Sequence, residues 1–298
     1  MKFTEPQVEW WQQTSLAQHI ARVGRICYKA KGKQPGKGMT EEEVEAFIQK
    51  RDEERCKGFW ESGHRSMYRH GTIYFFMPHE KGLPNYIWAH LNASPYIDYA
   101  TKNHKVWIST NMQFLLEHKN LMNALSPYDV SEEEFIEKAQ KYECEEAFTL
   151  IRMTMVVTTQ ISTSRELNRT SPNSIAEQST RYCNLEKKGG VQIARPHWHD
   201  SCTRWQRMVY GLVCRVCEWG YNRLLKSGLK PQDARGVLPL DTYTVVAYTY
   251  TLADWSHILD LRYHGTTGTP HPNAKIIGEK IRNIIIERMS KYCAEFDI

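Results

Sequence analysis

Several things are missing from this 298-residue chain, and each absence narrows what it can be. It holds no apolar run of about 18 residues or more, so no membrane-spanning helix is expected. Its first residues, Met1-Lys2-Phe3-Thr4-Glu5, carry no apolar signal segment, which points to a cytoplasmic protein. Charge of one sign is not in large excess: 39 Lys and Arg against 34 Asp and Glu leave +5. That balance favours an anionic ligand but forms no basic stripe, so neither a nucleic acid nor a membrane is an expected partner. Internal repeats and long low-complexity segments are also absent. The basic, glycine-containing stretch Lys29–Gly38 does not have P-loop spacing and reads as a solvated loop. Eight cysteines without a secretory signal read as reduced thiols. Cys214 and Cys217 form a Cys-x-x-Cys inside a helical apolar pattern and read as core. His197 and His199 lack a complementary Cys/His pair, so no metal site is expected.

What is present suits a globular protein, with 41% hydrophobic and 24% charged residues. Thr40 with Glu43 forms a capping box, predicting a helix to about Cys56. Thr72–Met77 reads as a buried strand ended by Pro78, and Met153–Thr159 as a second strand. Ser109–His118 looks helical, and Ser131 with Glu134 caps another helix. Trp205, Met208, Val209, Leu212, Val213, Val216, Leu224 and Leu225 recur at helical spacing and mark a long helix near 203–226. Pro231–Thr251 and Leu252–Arg262 read as two more helices. Ile277, Ile281, Ile284, Ile285 and Met289 mark a last amphipathic one. With no linker visible, the expectation is one α+β (α/β) domain over residues 1–298, a mixed sheet with helices.

The densest polar stretch runs from Ser164 to Tyr182: Ser-Arg-Glu-Leu-Asn-Arg-Thr-Ser-Pro-Asn-Ser-Ile-Ala-Glu-Gln-Ser-Thr-Arg-Tyr. Its arginines suit phosphate, and its hydroxyls and amides suit sugar and base edges. It directly follows the second strand, so a site is expected where a strand hands over to a helix.

This stretch resembles the signature of flavin-dependent thymidylate synthases, an Arg-His-Arg triplet, seven residues, Ser, then an Arg-Tyr pair. Ser179-Thr180-Arg181-Tyr182 and the leading Arg169 are kept, while Thr170 and Ser171 stand at the His and second Arg. Further motifs follow the family order. They are Ile26-Cys27-Tyr28, Ser62-Gly63-His64-Arg65-Ser66 with His70, Ile108-Ser109-Thr110-Asn111, Asp233-Ala234-Arg235-Gly236-Val237-Leu238-Pro239, and Trp255 through Arg262. The resemblance spans roughly residues 20–290. Arg69 stands where the family has an acidic residue, and Thr251 and Ala253 where it has Asn and Arg. The nucleotide half of the signature is kept and the flavin half is rewritten.

The resemblance implies a thymidylate-synthase-complementing fold, a homotetramer with shared sites, and transfer of a carbon to C5 of dUMP. Methylenetetrahydrofolate, FAD and NADPH would take part. It implies catalytic roles for Arg169, Ser179 and Arg262. Nucleotide contacts would come from Glu166, Glu177, Ser179, Arg181, Arg235 and Arg262, and flavin contacts from His64, Ser66, Arg169, Thr170, Ser171, Glu177 and His257. Arg65, Arg69 and Arg165 are further cations, candidates to stand in for the lost pair. Two other readings stay open: a flavin-independent dUMP or dCMP hydroxymethylase, with Cys183 as the thiol to test, and a nucleotide-binding subunit without catalysis.

Overall fold

The computed structural model describes residues 2–78, 83–169, 174–292 and 298. Ten strands occur among them: β1 (Lys2–Thr4), β2 (Gln7–Trp11), β3 (Thr72–Pro78), β4 (Ile97–Lys102), β5 (Lys105–Asn111), β6 (Asp129–Val130), β7 (Arg152–Gln160), β8 (Ile175–Glu177), β9 (Gln192–Ala194) and β10 (Tyr243–Thr251). They form two antiparallel four-stranded sheets, ordered β2-β7-β10-β8 and β4-β5-β3-β6, and a small parallel pair β1-β9. The mixed α+β class expected from sequence is what the chain adopts.

The first sheet carries the site. β7 and β10 pair along their whole lengths, from Tyr243 opposite Gln160 to Thr251 opposite Arg152. Both of its faces are covered. Met153, Met155, Val157, Val246, Tyr248 and Tyr250 pack with Ile277, Ile281 and Ile285 of the helix Pro272–Met289. Val156 and Ala247 point the other way, against Ile20 and Val23 of the helix Leu16–Tyr28. The helix Glu41–Glu61 lies on that one. Gly24 makes room there, since a Cβ at this position would sit 2.3 Å from the Phe59 ring. Thr40 and Glu43 form the expected capping box, and the helix runs past Cys56 to Glu61.

Two expectations need correction. Ser109–Asn111 belong to β5, and the helix begins at Met112, because the Asn111 side chain caps it by accepting from the Phe114 N–H at 3.0 Å. Pro231–Thr251 is not one helix. Helical turns cover Pro231–Val237, and Tyr243–Thr251 is the strand β10, where Thr244, Val245, Val246, Thr249 and Thr251 favour extended backbone. The expected long helix is present as Arg204–Lys226, and its apolar stripe faces outward: Trp205 is 69% exposed, Leu212 57%, Val216 56% and Trp219 61%. On its inner side Cys214 and Tyr221 are buried. No metal-binding cluster occurs among the described residues, and no described helix is long and apolar enough to cross a membrane.

Candidate active site

β7 ends at Gln160, and the helix Ile161–Asn168 starts at once, so the strand-to-helix handover expected from sequence is present. Opposite it, β8 delivers Glu177 and the turn Ser179–Tyr182. The segment Arg235–Leu240 closes the far side. Together they enclose a cavity of about 600 Å³ lined by Arg165, Glu177, Ser179, Thr180, Arg181 and Arg235, with Ile161, Leu238, Pro239 and Leu240 as apolar wall. Four of the residues that the resemblance assigned to the nucleotide, Glu177, Ser179, Arg181 and Arg235, therefore share one cavity. Three arginines and one carboxylate line it, a balance that suits an anion with hydrogen-bonding edges.

Each side chain is positioned. Glu177 Oε1 accepts from the Ser164 hydroxyl at 2.9 Å and from the Thr244 hydroxyl at 2.9 Å, and its Oε2 accepts from the Asn168 amide at 3.5 Å. Asn168 is in turn held by the buried Tyr248, whose hydroxyl donates to its Oδ1 at 2.8 Å. Ser179 is anchored by its own N–H to the Cys27 carbonyl at 2.9 Å, and its hydroxyl oxygen accepts from the Arg181 N–H at 3.2 Å. Arg235 Nη1 donates to the Thr180 hydroxyl at 2.8 Å, joining two separate motifs across the cavity. Arg165, Arg181 and Arg235 are exposed, and none forms an ion pair among the described residues.

The early motifs gather beside this cavity. Tyr28 lies against Tyr182, ring centroids 5.9 Å apart, and its hydroxyl reaches His64 Nδ1 at 3.4 Å. Arg55 stands 5.4 Å from the Tyr28 ring and Arg181 5.3 Å from that of Tyr182, itself 58% exposed. Lys188 Nζ donates to the carbonyls of Tyr28 and Lys29. An exposed ring cluster flanked by cations fits a planar, anionic cofactor.

The remaining expected residues do not line the cavity. Ser66, Arg169 and His257 are exposed elsewhere on the surface. Arg262 sits in the wide turn Asp260–His264 and donates through Nη2 to the Glu166 carbonyl at 2.9 Å, so its contact is to the back of the helix Ile161–Asn168. Thr170 and Ser171 lie outside the described residues. Cys183 is fully buried and absent from the cavity lining, and burial raises its thiol. A nucleophilic thiol needs exposure and thiolate character, and Cys183 has neither. His197 bonds Asn273 and His199 bonds Asp200.

Sequence reasoning missed the brace behind Glu177. Ser164 and Asn168 stood inside the polar stretch at positions a helix places on one face, which was a usable signal. Thr244 and Tyr248 gave none, because their strand read as helix.

The family described as thymidylate synthase complementing protein matches residues 97–287, and the chain belongs to that family. It is 24% identical over 144 residues to the flavin-dependent thymidylate synthase of Synechocystis, a match covering 45% of this chain and 67% of that protein. Over 72 residues it is 33% identical to the probable flavin-dependent thymidylate synthase of Paramecium bursaria Chlorella virus 1, covering 24% of this chain and 33% of that one. Among solved structures, it is similar to the UMP/dUMP methylase PolB of Streptomyces cacaoi bound with 5-Br UMP. That match has a TM-score of 0.41 and 24% identity over 51% of this chain and 75% of that chain.

Proposed function

We propose that this chain transfers a one-carbon unit to C5 of a pyrimidine nucleotide monophosphate, converting dUMP to dTMP with methylenetetrahydrofolate as carbon donor. The observation that carries the reading is the convergence of Glu177, Ser179, Arg181 and Arg235 on one cavity, with Arg165 beside them. In this reading Arg181 and Arg235, with the Ser179 hydroxyl, hold the phosphate by forked, charge-assisted hydrogen bonds. Glu177, fixed by Ser164 and Thr244, accepts from the base or sugar. Arg165 faces the developing negative charge as C5 becomes nucleophilic, replacing a cation that the altered triplet lacks.

FAD is part of the proposal, held against His64, Tyr28 and Tyr182, with Ser66, Arg169 and His257 as further contacts. When bound and reduced by NADPH, it supplies the hydride that completes the methyl group. Ser66, Arg169, Arg262 and His257 lie away from the cavity of one chain. A homotetramer with sites shared between subunits would bring such residues to a neighbour's cavity, and the outward apolar stripe of the helix Arg204–Lys226 supports that assembly.

The first experiment is the visible absorption spectrum of the purified protein with and without added FAD, followed by product analysis with dUMP, methylenetetrahydrofolate and NADPH. A near-stoichiometric bound-flavin spectrum and dTMP as product are expected. No flavin uptake with excess FAD and dUMP present would overturn the flavin-dependent reading. No folate-dependent product from dUMP, UMP or dCMP would overturn the enzymatic one.

A further inference from the structure

We infer a second ligand site, outside the nucleotide cavity, that takes a small zwitterion of the amino-acid type. It lies beside Arg152, the first residue of β7. Arg152 is only 8% exposed, and among the described residues its guanidinium makes one hydrogen bond, Nη2 to the Thr249 carbonyl at 3.5 Å, while its Nε has no partner. A guanidinium carries five N–H donors, and a buried charge without a counter-ion is costly. No carboxylate among the described residues forms an ion pair with it. Asp98, an acid that feels its field, forms no ion pair with it.

A separate cavity of about 260 Å³ adjoins Arg152, and its lining carries charges of both signs. Arg152 is its buried cation. Asp129 and Glu133, both exposed, also line it, neither of them in an ion pair among the described residues, whereas Glu132 is engaged by Arg288 Nη2 at 2.7 Å. The helix Glu132–Lys141 starts at the same place, with Ser131 capping only the Glu134 N–H at 3.1 Å. The first N–H groups of that helix are therefore open to an acceptor. Trp10 and Trp11 add aromatic wall.

This pattern selects its ligand by charge. A simple anion would satisfy Arg152 but meet the exposed acids. A simple cation would satisfy the acids but meet Arg152. A molecule with a carboxylate at one end and an ammonium at the other matches both, its carboxylate on Arg152 and the helix start, its ammonium toward Asp129 and Glu133. None of these residues lines the nucleotide cavity, so the site stands or falls independently of the reaction proposed above.

Isothermal titration calorimetry on the full chain tests this with a panel of free L-amino acids and with acetate and ethylamine as single-charge controls. At least one amino acid is expected to bind, with acetate and ethylamine giving no heat at equal concentration. Arg152→Met is expected to weaken that binding about tenfold or more. Glu133→Gln, an exposed change that should leave folding intact, is expected to weaken it severalfold. The inference is overturned if no amino acid binds the native chain, if acetate binds as tightly as the best amino acid, or if binding is unchanged in Glu133→Gln.

Discussion

Ser164 and Glu177, thirteen residues apart, meet across the wall of the nucleotide cavity, the hydroxyl donating to Oε1 at 2.9 Å. The Thr244 hydroxyl donates to the same oxygen at 2.9 Å. A carboxylate held by two donors on two elements cannot swing away from a ligand. Hydrogen bonds to a charged group contribute about 1.5–3 kcal/mol. Ser164→Ala and Thr244→Val are each expected to raise the dUMP dissociation constant about tenfold, read by calorimetry. Unchanged affinity in both would remove Glu177 from the nucleotide contacts.

Arg181 and Arg235 are exposed, so their replacement should cost the fold little, within about 0.5 kcal/mol. Binding of a dianionic phosphate should respond far more. Arg181→Ala and Arg235→Ala are each expected to weaken dUMP binding about tenfold to a hundredfold with an unshifted thermal midpoint. Uridine, which lacks the phosphate, should be insensitive to both. A matching loss for uridine would assign the arginines to the base instead.

Acid sensitivity follows from a buried chain of polar groups. His70 Nδ1 lies 2.8 Å from the Thr249 hydroxyl, which lies 2.7 Å from that of Thr154, itself 2.9 Å from His19 Nε2. Burial lowers His19 from 6.5 to about 4 and His70 from 6.5 to about 3. Below 6.5 the unfolded chain takes up protons that the native state refuses, so stability falls as pH drops through this window. Each histidine accounts for at most about 3 kcal/mol between pH 6.5 and pH 4. Asp98 acts oppositely, since its raised carboxyl keeps a proton in the native state that the unfolded chain releases between about 6 and 3.8. Two histidines against one carboxyl leave a net decline. Urea midpoints should fall steadily on acidification, and His70→Gln should flatten the slope.

The stripe on the helix Arg204–Lys226 makes an assembly prediction. Leu212 and Val216 lie four residues apart on one exposed face. The native chain is expected to sediment as an oligomer, and Leu212→Glu with Val216→Glu to dissociate it while far-ultraviolet circular dichroism is kept. A native monomer at all concentrations would remove the shared-site reading.

The sequence spoke clearly wherever the chemistry was local. Capping boxes at Thr40 and the polar run from Ser164 marked their elements and the cavity's main residues. It was silent where tertiary context decided. Tyr243–Thr251 alternates weakly because both faces of β10 are buried, so period-two patterning is lost and the run passes for a helix. The helical period in Trp205–Val216 identified an element but could not say whether its apolar side faced inward or outward. Arg262 matched its motif in sequence, yet its side chain turns to the Glu166 carbonyl.

The layout of the nucleotide cavity also bears on how the protein is made. Every residue lining it falls between Ile161 and Leu240, and the strand that fixes Glu177 from behind, β10, comes last of the sheet. The outer sheet β4-β5-β3-β6, by contrast, is complete by Val130. A ribosome-bound chain can thus finish one sheet long before it owns a ligand site. The growing polypeptide has no nucleotide to steady it until β10 has been made, so quality control of nascent chains must act on the bare fold.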